Sequence, residues 1–97
     1  VTGDPAASAQ YIQAHLPEGA GVICFTEYKV LFPGRSIHDL GPAADKEEQA
    51  RRVFDALREF DHEPVTAIWA QCPDAAGLGL AVSNRLKKAA GFHVIEV

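Results

Sequence analysis

The chain has 97 residues, 47% of them apolar and 23% charged, and a formal net charge of −4 at neutral pH. That length suits one compact domain of modest stability, and the composition is neither disordered nor fibrous. The acidic balance argues against direct nucleic-acid binding, which needs a basic field; no apolar run reaches membrane-spanning length, so no membrane contact is expected.

Asp4 and Pro5 open the first predicted helix, Asp as N-cap and Pro at the first helical position. Pro5, Ala9, Ile12 and Leu16 recur at helical spacing until Pro17-Glu18-Gly19 stops the run. Gly21 to Thr26 is a continuous apolar stretch and reads as a strand buried on both faces. Phe32-Pro33-Gly34 is a turn, and Ser36 to Leu40 a short strand ended by Gly41-Pro42. Asp45 to Phe60 is the clearest helix. Asp45 and Glu48 stand at capping-box spacing, and Ala50, Val53, Phe54 and Leu57 form an i, i+3, i+4, i+7 stripe. Val65 to Ala70 reads as a second interior strand, with Trp69 in the core. Gly77-Leu78-Gly79 leads into a helix from Leu78 to Ala90, with Leu78, Val82, Leu86 and Ala89 inward and Gly91 as C-terminal cap. His93 to Val97 reads as the closing strand.

This alternation predicts a single α/β domain over residues 1–97. It is a three-layer Rossmann-like sandwich, with a mainly parallel sheet of about four or five strands and helices on both faces. Cys24 and Cys72 lie in apolar runs and read as buried free thiols, consistent with a reducing, cytoplasmic setting. His15, His38, His62 and His93 lack zinc-ligand spacing, so no metal site is expected. Ser36 and Ser83 lack a nucleophile-elbow sequence. The first residue is Val, which suggests a fragment or a processed product.

Two regions offer candidate contacts. Gly77 and Gly79 allow either a sharp turn with close helix–sheet packing, a phosphate contact at a helix N-terminus, or an interdomain contact. In the helix that follows, Asn84 and Arg85 are placed to clamp a phosphate or carboxylate, or to pair internally. Lys87 and Lys88 suit the end of that helix, where they complement its dipole. Separately, Phe32 and Arg35 in a turn form either a docking surface or part of the fold.

The run Gly77-Leu78-Gly79-Leu80-Ala81-Val82-Ser83-Asn84-Arg85-Leu86-Lys87-Lys88-Ala89-Ala90 resembles the C-terminal signature of the long-form threonylcarbamoyl-AMP synthases, GLG-x-A-[IV]-x-NRL-x-KAA. Val53 to Asp61 resembles the family's LF-x-x-LR-x-x-D helix, and Val1 to Pro5 the stretch opening its first helix. The chain departs from the family in having no His-Tyr-Ala-Pro-like segment and strand ahead of Gly3-Asp4-Pro5. A sheet short of that strand would keep an open edge, favouring pairing between two copies. Tyr28 to Ser36 has no clear family counterpart in this reading.

The resemblance implies a parent enzyme that makes threonylcarbamoyl-AMP from threonine, bicarbonate and ATP for tRNA modification. ATP and its divalent cation would be held by an N-terminal YrdC-like catalytic domain, the partner of this one. The present chain would be an accessory domain without catalytic residues or cofactor of its own. The alternative is a free-standing module that binds a nucleotide or protein, again without catalysis.

Overall fold

The computed structural model describes residues 1–60, 62–65, 67–73, 77–89 and 97, with main chain only at Leu78 and Ala89. The elements are α1 (Pro5–His15), β1 (Gly21–Cys24), a 3-10 helix (Thr26–Leu31), β2 (Ile37–Asp39), α2 (Lys46–Phe60), β3 (Ile68–Ala70) and α3 (Leu78–Ala89). The strands form an all-parallel sheet in the order β2-β1-β3. Val22 stands opposite Ile37 on one side and Trp69 on the other.

The α/β class is as expected, but the described sheet has three strands, not four or five. Of the expected closing strand only Val97 is described; its N–H donates to the Thr2 carbonyl at 3.0 Å. β3 is also shorter than Val65 to Ala70. The Val65 N–H turns back to the Glu63 carbonyl at 2.9 Å and so leaves the ladder, which begins at Ala67 O accepting from Gly21 N. Among the described strands β3 is outermost, and it is less buried than expected: Ile68 is exposed, and Trp69 and Ala70 are half-buried. The main chain of Val1 flanks it there: the amine donates to Ala70 O at 2.7 Å, and Cys72 N donates to Val1 O at 2.9 Å.

β1 is buried along its whole length, and its side chains alternate between two apolar layers. Ile23 and Phe25 face Leu40, Val53, Ala56, Phe60, Cys72, Val82 and Leu86. Val22 and Cys24 face Ile12 of α1 and Phe32. Burying each large side chain contributes about 1.5–3 kcal/mol, and helices therefore cover both faces of the sheet. Trp69 is partly buried against the second layer. At Gly21 α2 approaches the strand closely: a Cβ there would lie 2.4 Å from the Phe60 ring.

Both predicted N-caps form. Asp4 accepts from Ala7 N at 3.2 Å and Asp45 from Glu48 N at 3.1 Å, each satisfying an otherwise orphaned helix donor. The inward face of α2 differs from the expected stripe. Gln49, Val53, Ala56 and Phe60 are buried, while Phe54 is 53% exposed. The reason is polar. The Gln49 amide donates to the carbonyls of Pro42 and Ala43 at 2.8 and 3.0 Å, which turns Phe54 outward. In α3, Val82 and Leu86 point into the core as expected.

Candidate functional site

The outward rotation of Phe54 creates a groove between α2 and α3. Ala50, Val53 and Phe54 line one wall, at i, i+3 and i+4. Ala81, Val82, Asn84, Arg85 and Lys88 line the other, within two turns of α3. The groove holds about 380 Å³ and is open along its length. The Arg85 guanidinium carbon stands 4.7 Å from the centre of the Phe54 ring, a cation–π contact. The Arg85 Nε is buried without a hydrogen-bond acceptor.

The lysines and arginines elsewhere among the described residues have partners. Arg51 and Arg52 both reach Glu48, at 2.7 and 2.9 Å. Arg58 lies 3.8 Å from Asp55, and Lys29 bonds Asp39 at 3.0 Å. No carboxylate among the described residues lies within ion-pair distance of Arg85, Lys87 or Lys88. The outer face of α3 is thus a local positive surface on an acidic molecule, and no acidic residue lines the groove.

A second polar cluster joins β2 to the end of α2. His38 Nδ1 lies 2.9 Å from a Glu59 carboxylate oxygen, and Nε2 bonds Glu63. Ser36 donates to the other Glu63 oxygen, and the edge of the His38 ring meets Phe60 at 4.2 Å between centroids. The hydrogen bonds from Ser36 and then His38 hold the Glu63 carboxyl below its ordinary value of 4.5, against a smaller upward push from burial. Ser36 gives its proton to Glu63 and not to His38, so the pair lacks the nucleophile–base bond of a catalytic serine. The cluster clamps the strand to the helix. Cys24 is equally structural: burial foremost, with Asp39 adding, pushes its thiol up to about 12, far from a reactive thiolate. Cys24 and Cys72 are both free and buried.

The residues singled out in the sequence separate into three places. Asn84 and Arg85 meet in the groove. Gly77 is exposed just before α3 with φ +55°, and Gly79 is buried as its second residue. Phe32 and Arg35 belong to the other side of the sheet. Phe32 is 2% exposed in the α1 layer, and Arg35 donates to the carbonyls of Pro17 and Leu16 at 2.8 and 3.4 Å, fastening the α1–β1 turn. Sequence reasoning missed Phe54 as a groove residue and the pairing of Glu59 and Glu63 with His38. The spacing held a signal for the latter: Ser36 and His38 share one face of a strand, while Glu59 and Glu63 are four apart.

An open parallel sheet wrapped on both faces, with an apolar groove rimmed by cations on one flank, defines a small α/β domain. The chain belongs to the family described as Threonylcarbamoyl-AMP synthase, C-terminal domain, whose family model matches residues 2–91. It is 36% identical over 96 residues to the threonylcarbamoyl-AMP synthase of Bacillus subtilis, covering 97% of this chain and 28% of that protein. It is 51% identical over 51 residues to the threonylcarbamoyl-AMP synthase of Pyrococcus abyssi, covering 53% of this chain and 15% of that protein. The chain thus spans under a third of the length of either relative.

Proposed function

We propose that this chain is the accessory domain of a threonylcarbamoyl-AMP synthase and assists a YrdC-like catalytic domain on the same polypeptide. That domain joins threonine, bicarbonate and ATP, releases pyrophosphate, holds the nucleotide's divalent cation, and supplies a cytoplasmic tRNA modification. The observation that carries the reading is the family match across residues 2–91 in a chain that spans only 28% of its Bacillus subtilis relative. Two features of the site support a non-catalytic role. Ser36 and His38 are both committed to Glu63, and Cys24 is buried and held protonated. Among the described residues no group of three or more His, Cys, Asp or Glu side chains is arranged to hold a metal ion. No helix of the described residues is long and apolar enough to cross a membrane.

The test is synthesis of threonylcarbamoyl-AMP by the full-length parent with and without this domain, and by this domain alone. Deletion is expected to lower the parent's rate, and the domain alone to make no product. Product formation by the domain alone, or an undiminished rate in the deleted parent, would reject the role.

A further inference from the structure

We propose that the α2/α3 groove docks a peptide segment that presents a carboxylate beside an apolar side chain. The argument begins with Phe54. An aromatic ring 53% exposed, in a groove that the small side chains of Ala50 and Ala81 also line, leaves apolar floor that a neighbouring chain can cover. The floor runs between two helix stripes, the shape used by grooves that accept an amphipathic segment.

The rim sets the chemistry of the occupant. Arg85 and Lys88 are three residues apart on one face of α3, with Asn84 beside them as a neutral hydrogen-bonding group. Neither cation has a carboxylate partner among the described residues, although the molecule carries a net charge of −4 and pairs Lys29, Arg51, Arg52 and Arg58 internally. Arg85 is held in place by the Phe54 ring, so little ordering is lost when it meets a carboxylate bidentately. A small anion would meet the cations but leave Phe54 and the alanines wet; a peptide satisfies both. The inference concerns the groove itself and does not depend on the parent's activity.

The experiment uses three fluorescein-labelled amphipathic peptides with the same leucine stripe, flanked by Glu, Gln or Lys. Their binding to the intact protein is read by anisotropy. The Glu peptide is expected to bind tightest, with the Gln peptide and the Lys88→Glu variant each weaker by roughly threefold to fivefold, the worth of a partly exposed charge pair. Lys88 is exposed, so that variant should keep its fold, which far-UV circular dichroism checks; Arg85→Gln is the second variant. Equal affinity for all three peptides, no binding of any, or affinity unchanged in the folded Lys88→Glu variant would overturn the proposal. Displacement of the Glu peptide by ATP at matched ionic strength would overturn it too, by assigning the groove to small anions. The domain-deletion assay above judges the accessory role separately.

Discussion

Gln71 accepts the Phe25 amide proton at 3.0 Å where β1 leaves the sheet. The same side chain donates to Pro5 O at 2.8 Å and to Ser8 Oγ at 3.0 Å, and it is fully buried. One amide thus joins β1, the end of β3 and the first turn of α1, in place of ladder bonds that end there.

Replacing it with an apolar residue of similar size should therefore be costly. Gln71→Leu leaves the Phe25 donor without a partner inside the protein, whereas the Pro5 carbonyl still accepts from Ser8 Oγ; a buried orphan donor costs about 1–3 kcal/mol. We expect a loss of about 1–3 kcal/mol in urea unfolding with an unchanged m value. A loss under about 0.5 kcal/mol would mean that water replaces the amide.

Gly21 is needed for space, not for its backbone angles. A Cβ would stand 2.4 Å from the Phe60 ring, and overpacking of this kind costs about 1–3 kcal/mol. Gly21→Ala should lose that much, and Gly21→Ala combined with Phe60→Leu should lose less than the sum of the two single variants, because they share one contact. Simple additivity in thermal unfolding would refute the steric account.

The two faces of α2 can be told apart by truncation. Val53 is 2% exposed in the core, and Val53→Ala should cost on the order of 1–3 kcal/mol. Phe54→Ala removes a larger side chain from an exposed position and should cost under about 1 kcal/mol. The reverse order, measured by denaturant titration, would restore the stripe expected from the sequence.

Acid sensitivity follows from Glu63. Its carboxyl sits below the ordinary 4.5 in the folded protein through the Ser36 and His38 hydrogen bonds, so the folded state takes up this proton less readily than the unfolded chain. The stability it lends is complete above about 4.5 and drains as pH falls through the lower native value. Asp39 has the same sign: burial pushes it up, but bonds from Thr26, Gly41 and Lys29 outweigh that and lower it. Glu63→Gln should make the acid limb of the stability–pH curve shallower. A limb of unchanged slope would show that this carboxyl does not contribute to it.

Much of the architecture was readable because it rests on patterns of apolar residues. β1 is an unbroken apolar run and is buried on both faces; α1 and α3 turn Ile12, Val82 and Leu86 inward as their spacing says. The misreadings have polar causes. Helical periodicity alone could not place Gln49 in the core, because its burial depends on carbonyls at Pro42 and Ala43, and Phe54 was assigned inward as a result. Val65 looked like a strand residue but spends its N–H on Glu63. For the site, the helix pattern points to Asn84 and Arg85, whereas Phe32 packs into a neighbouring layer and Arg35 bonds two distant carbonyls.

The placing of β1 between its two neighbours governs the order in which the molecule can assemble. Its β2 side is supplied after a connection of twelve residues that includes the 3-10 helix, but the β3 side waits until α2 has been made and the chain has returned at Ala67. During synthesis a greasy strand with one row of bare amides and carbonyls therefore emerges well before its last mate, an interval in which a ribosome-bound chaperone has most to protect.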